Sequence, residues 1–214
     1  MCFSASASFG AGAVLAVAGI VTLKKANATN AIAFGAIPFI FAVQQFSEGF
    51  SWLALSEQVS PSWHQIPSYI FLFFSHIVWP TWMPLSLFLI EKDSSRMKIL
   101  GGFLLLGCLL ASYHLYFIIT KGVEGEIIGC HIDYFTHFPG RFSFPASFLY
   151  GLTTIVPFFL SGVKRMYLFG LGLILAYFVS KVFYVEYLIS VFCFFAALLS
   201  VIIWYILSSI DNPG

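Results

Sequence analysis

Apolar residues gather along this chain in seven stretches: Phe3 to Leu23, Ala31 to Leu53, Ile66 to Ile90, Ile99 to Ile118, Pro145 to Leu160, Met166 to Val182 and Tyr187 to Leu207. An α-helix needs about 20 predominantly apolar residues to cross a hydrocarbon core roughly 30 Å thick, and the stretches have that scale. The pattern predicts an all-α, polytopic membrane protein with seven transmembrane helices in a single domain, residues 1–214. The first stretch reads as a retained span and not as a cleaved signal peptide, because Lys24 and Lys25 follow it and no basic residue precedes it.

The polar connections set the direction of the spans. Lys24 and Lys25, then Lys92, Arg96 and Lys98, then Lys164 and Arg165 all fall on one side, and Lys121, Arg141 and Lys181 fall on the other. The positive-inside rule then places the N-terminus outside and the C-terminus in the cytoplasm. The one long connection, residues 119–144, becomes an outer loop that carries Cys130, His131, Asp133 and His137. Loops of that length are usually functional or disordered, and an ordered cap is the expectation. No internal repeat supports a transporter built from two related halves.

Composition agrees, with 60% hydrophobic and 9% charged residues, against about 25% charged in soluble domains. Membrane lipids are therefore the expected partners, and a soluble-domain function is excluded because the crossings consume nearly the whole chain. A net charge of +1 offers nothing to nucleic acid.

Strongly polar side chains inside lipid are costly, so each is a functional candidate. They are Gln44, Gln45 and Glu48 in the second stretch, Ser75 and His76 in the third, and Tyr113 and His114 in the fourth. Counting about 1.5 Å per residue, Glu48, His114 and His76 lie roughly 9, 6 and 12 Å below the outer face. Three helices thus bring polar groups to one level, and His131 and Cys2 approach it from above. Gln44 and Glu48 are four residues apart and share the helix face expected to turn inward. The third stretch also carries Trp79-Pro80-Thr81-Trp82-Met83-Pro84, in which Pro80 removes the donor due to the His76 carbonyl. Loosened backbone at membrane depth persists only where protein buries it or where it lines a polar cavity. The expectation is a polar chamber lined by Gln44, Gln45 and Trp79.

Imidazole, carboxylate and thiolate are the usual zinc ligands, and catalytic sites use three of them plus an open position. His76, His114, His131, Glu48 and Cys2 form the candidate set for zinc or another transition metal, with Glu48 as ligand or general base. No His-x-x-x-His or His-Glu-x-x-His pair stands on one helix, so the set rests on depth and topology. The plainer reading has neutral histidines tying helices together through hydrogen bonds. Cys2 and Cys130 both fall on the oxidising side, which allows a disulfide between them; alternatively Cys2 is a ligand or nucleophile. Cys108 and Cys193 read as small packing residues. Trp52, Trp63 and Trp204 stand at the height of interfacial aromatic belts. Gly10, Gly12 and Gly19 offer a close-packing face, as do Gly35 and Gly49.

Several blocks resemble an uncharacterised family of small bacterial multi-pass proteins that begin Met-Cys-Phe-Ser-Ala. They are MCFSASASF from Met1, PFIFAVQQFSEGFSW from Pro38, FSHIVWP from Phe74, Glu91, GCHIDY from Gly129 and SVFCFFAA from Ser190. Phe192 departs from the pattern, which has tryptophan there. The resemblance implies a seven-span protein of the bacterial inner membrane and supplies no activity. Its motif residues include Cys2, Gln44, Gln45, Glu48, His76 and His131, but not His114. A fainter likeness points to the seven-span metal-dependent hydrolases that include alkaline ceramidases and adiponectin-type receptors, in which Ser75 and His76 would match a catalytic serine and one histidine. The paired histidines of their last span have no counterpart here, so that likeness serves as mechanistic analogy only.

Three functions compete. The first is an intramembrane metal-dependent hydrolase of a lipid or amphiphile, with metal-activated water. The second is a redox protein holding b-type haem between His76 and His114. The third is a non-enzymatic sensor, small-ligand binder or proton-coupled carrier built on Gln44, Gln45 and Glu48.

Overall fold

The computed structural model describes residues 4–26, 31–56, 65–129, 131–136, 144–183 and 188–211. Ser4 opens the first helix, its Oγ accepting the Ala7 amide at 3.3 Å, and α1 runs over Ala5–Ala26. The buried residues of α1 are Ser8, Gly12, Leu15, Gly19, Thr22 and Ala26, alternately four and three apart. This seam of mostly small residues lies against α3 (Ile37–Leu55), which follows the short α2 (Ile32–Gly35). A Cβ on Gly19 would stand 2.7 Å from the Phe39 amide nitrogen, and one on Gly12 would stand 3.1 Å from the Phe46 ring. Such backbone approach is how helices associate where lipid removes the hydrophobic drive between them. Thr22 secures the junction by donating to the Gly35 carbonyl at 2.7 Å. Gly10 faces open space and takes no part in the seam.

The chain continues through α4 (Ile66–Phe73), a π-helical turn (Phe74–Val78), α5 (Trp79–Ile90) and α6 (Ser94–Lys121). Asp93 caps α6 by accepting the Arg96 amide at 2.9 Å. A hairpin of β1 (Val123–Ile128) and β2 (His131–Thr136) comes next, then α7 (Phe144–Ile155), α8 (Pro157–Leu160), α9 (Met166–Phe183) and α10 (Leu188–Asp211). Two expected continuous spans are interrupted, at Ala36 and at Val156, each close to a proline that opens the next helix.

Among the described residues, Ala5–Ala26, Ile66–Ile90 and Ser94–Lys121 are long and apolar enough to cross a membrane, and Pro145–Leu160, Met166–Ser180 and Phe195–Ile210 are shorter apolar helical stretches. α3 is not among the three, for its 19 residues include Gln44, Gln45 and Glu48. Large apolar side chains face outward while several strongly polar ones are buried. Val17, Leu105, Leu109, Ile119, Leu175, Phe178, Leu198 and Val201 are exposed, whereas Gln44, Gln45, Glu48, His76 and His114 are buried. Cys108 is also exposed, so it belongs to this outer surface and not to the packing interior. Trp52 shows the opposite departure: it is only 8% exposed and stands in no outer belt.

The basic connections meet at one end. Glu91 accepts the Gly162 amide at 2.6 Å, the Ser161 hydroxyl at 3.3 Å and the Lys92 and Asp93 amides at 3.1 and 3.2 Å, which clamps the turn after α5 to the turn after α8. The Arg96 guanidinium lies against Gly162, and that of Arg165 sits 4.8 Å above the Tyr205 ring. Arg165 itself takes a left-handed φ of 67°. Phe34, just after α1, packs on Phe169 at 5.6 Å between ring centres and so brings Lys24 and Lys25 to the same end.

Lys121 and the hairpin lie at the opposite end. Pairing runs from Val123 with Thr136 to Ile128 with His131, and the alternation turns Val123, Ile132, Tyr134 and Thr136 inward. Tyr134 stacks on Phe71 at 4.7 Å, and Gly125 rests on Leu55 and Ser68. The connection expected as a loop over 119–144 is therefore largely ordered: helix to Lys121, then a hairpin covering this end of α3 and α4. Cys2, Trp63, Cys130, His137, Arg141 and the side chain of Cys193 lie outside the described residues.

Candidate functional site: a proline-opened turn among buried polar groups

The site begins with a backbone irregularity. In the π-helical turn the Trp79 amide bonds back to the Phe74 carbonyl, five residues away. In that register the next donor, due to the Ser75 carbonyl, would be residue 80; in the α register residue 80 would serve the His76 carbonyl. Residue 80 is proline and has no N–H. Both carbonyls are caught by side chains from other helices. Tyr150 of α7 donates its hydroxyl to the Ser75 oxygen at 2.6 Å, and His114 Nδ1 of α6 lies 3.3 Å from the His76 oxygen. Gly107 lets α6 come this close, since a Cβ there would collide with the Pro80 carbonyl oxygen.

One of these contacts assigns a ring proton. A carbonyl oxygen only accepts, so His114 carries its proton on Nδ1. Ser75 Oγ lies 3.2 Å from the Leu72 carbonyl and 2.7 Å from His76 Nδ1, so its hydroxyl bridges the two. Ser75 thus orients His76. The two imidazoles stand edge to face with centres 5.1 Å apart.

Beside them runs the polar face of α3. Gln44 Oε1 accepts the Trp79 indole N–H at 2.6 Å, and the Trp79 ring stacks on Phe41 at 3.9 Å. Gln45 Nε2 donates to Glu48 Oε2 at 2.7 Å, and Glu48 is wholly buried. The Gln44–Trp79 bond and the joint contact of Gly125 with Leu55 and Ser68 fix an antiparallel register between α3 and the α4–α5 segment. That register puts Glu48 at the level of Ser75 and His76.

Of the expected metal set, the structure brings His76 and His114 together. Among the described residues no three His, Cys, Asp or Glu side chains gather closely enough to hold one ion. Glu48 shares their level but bonds to Gln45. His131 stands at the hairpin tip on the face opposite Ile132 and Tyr134. Burial there pushes its pKa below the ordinary imidazole value, so it is neutral at pH 7.

Sequence reasoning reached the His76 carbonyl but missed Tyr150 and the contact of Ser75 with His76 Nδ1. The freed carbonyl predicts a donor somewhere, and nothing in the sequence says which hydroxyl comes near it. Four polar atoms stand out for another reason: Ser8 Oγ, Gln45 Oε1, Trp52 Nε1 and Ser68 Oγ are buried with no hydrogen-bond partner. At about 1–3 kcal/mol each, they would together cost a sizeable share of the roughly 5–15 kcal/mol by which domains are stable.

Fold and site together define a mostly helical protein with an apolar exterior and a cluster of buried polar groups around a proline-opened turn. The chain belongs to a family described as "Family of unknown function (DUF6629)", whose model matches residues 1–213. No curated protein and no solved structure matches it.

Proposed function

We propose that this is a bacterial inner-membrane protein whose seven apolar segments all cross the bilayer, with the N-terminus outside, and that its buried histidine pair binds zinc or a similar transition metal. In this reading the metal would activate water for hydrolysis of a lipid or amphiphile entering from the outer leaflet, with Glu48 nearby as general base. The gathering of the basic connections at the end opposite the hairpin supports the orientation.

The observation that carries the metal reading is the geometry of the two imidazoles. Each engages a fixed polar group through Nδ1, the second-shell arrangement typical of metal-binding histidines. Rings in edge-to-face contact at 5.1 Å fit ligands on one small ion better than axial ligands on opposite faces of a haem. A third protein ligand would come from Glu48 after a rotamer change.

The test is elemental mass spectrometry with a visible spectrum on purified wild type, His76→Ala and His114→Asn. Asparagine can offer an amide N–H to the His76 carbonyl but has no counterpart of Nε2, so it separates folding from ligation. Stoichiometric zinc or another colourless metal in the wild type, lost in both variants, is the expected result. A wild type still metal-free after reconstitution with zinc overturns the proposal, and iron with a haem band supports the redox alternative in its place.

A further inference from the structure

Four of the buried unpartnered polar atoms, Ser8 Oγ, Gln45 Oε1, Trp52 Nε1 and Ser68 Oγ, fall on the packed helices α1, α3 and α4, whereas Ser180 Oγ stands on α9. α1 and α3 run antiparallel, with Gly19 at Phe39, Gly12 at Phe46 and the Phe9 ring 2.8 Å from a Cβ position on Gly49. Ser8 therefore sits beside the Gly49–Trp52 turn of α3. Ser68 shares its level with Leu55, since Gly125 touches both at 3.4 and 3.3 Å. Trp52 lies between these levels, four residues from Glu48 and seven from Gln45, on one face of α3. From the hairpin end downward the order is Ser68, Trp52 with Ser8, Glu48, then Gln45.

We propose that these five side chains line an internal hydrated path that brings water from the hairpin end of the bundle to the Glu48 carboxyl. The indole N–H of Trp52 and the Gln45 carbonyl oxygen are a donor and an acceptor held in a buried setting with no protein partner. Water is the ligand that satisfies both kinds of group at several levels among α1, α3 and α4, and buried waters characteristically bridge two to four such groups. The contrast with Trp79 is internal to the molecule. Trp79 is buried to a similar degree, but its indole N–H is held by Gln44 at 2.6 Å. The path stands whether or not the histidine pair holds metal, and it would give any chemistry at that level its water.

Hydroxyl-radical footprinting of the full-length protein in lipid nanodiscs, after rapid mixing into heavy-oxygen water, reads this directly by mass spectrometry. Trp52 is expected to acquire heavy-oxygen label at least severalfold faster than Trp79 on the millisecond scale, because radicals form in water that touches it. Labelling of Trp52 no faster than that of Trp79 overturns the proposal.

Discussion

The lock on the proline-opened turn can be measured. Tyr150→Phe keeps the ring and removes the hydroxyl that donates to the Ser75 carbonyl at 2.6 Å. Side-chain hydrogen bonds inside membrane bundles average about 0.6 kcal/mol and reach about 1.7, whereas a buried acceptor left unmade costs about 1–3 kcal/mol. Since Pro80 prevents a backbone N–H from replacing the lost donor, the expected cost lies toward the upper membrane values, about 1–2 kcal/mol. That corresponds to a roughly 5- to 30-fold loss in the folded-to-unfolded ratio. Reversible unfolding in mixed micelles with increasing SDS, followed by circular dichroism, gives the number.

The informative form is a double-mutant cycle. Pro80→Ala returns an N–H where the Ser75 and His76 carbonyls lack one, so the turn no longer depends on Tyr150. In that background Tyr150→Phe should cost less than about 0.5 kcal/mol, leaving a coupling of about 1 kcal/mol between positions on different helices. The same penalty in both backgrounds would refute the account, as would wild-type stability in Tyr150→Phe alone.

Gly107→Ala should destabilise by about 1–3 kcal/mol, because its Cβ meets backbone and not a mobile side chain. Gly102→Ala, which meets open space on the same helix, should stay within about 0.5 kcal/mol in the same unfolding assay. Glu91 gives a pH prediction. Partial burial works to raise its pKa, but the Gly162, Asp93 and Lys92 amides and the Ser161 hydroxyl outweigh it and hold the group below its ordinary 4.5. A depressed carboxylate adds stability that is fully present above the unfolded pKa and is lost as pH falls through the folded one. Wild type should therefore exceed Glu91→Gln in stability at pH 7, and the gap should shrink as pH drops below 4.5; a gap constant from pH 7 to 3 would contradict this.

The mostly helical, apolar character of the chain was legible because lipid-scale apolar runs are hard to mistake, and α1 was legible in finer detail because glycines mark where backbones touch. Sidedness of the other helices was not. In a bundle whose interior and exterior are both apolar, periodicity carries little contrast, so Trp52 reads as a belt residue and turns inward, while Cys108 reads as interior and turns out. The hairpin left a usable signal that the expectation of a loop did not use: Ile127, Ile132 and Tyr134 alternate around Gly129, whose φ of 61° suits glycine at the turn. Glu48, His76 and His114 were found by asking what does not belong in hydrocarbon. Tyr150 was not found, because a tyrosine in lipid is unremarkable until the carbonyl it serves is known.

Pro80 sharpens the choice between a structural and a chemical role for the histidines. To hold the opened turn, α6 needs one N–H at position 114, and α7 already supplies the other donor through Tyr150. An asparagine would meet that need with a smaller ring-free side chain. A second imidazole at position 76, held by Ser75, adds nothing to the capture of the freed carbonyls. Two buried imidazoles in edge contact are a costly way to provide one hydrogen bond, for each must be stripped of water. A purely structural turn asks only for Nδ1 of His114; the proposed metal would give both imidazoles a common role, which is why His114→Asn, able to keep the hydrogen bond but not the ligand, is the variant that separates the two.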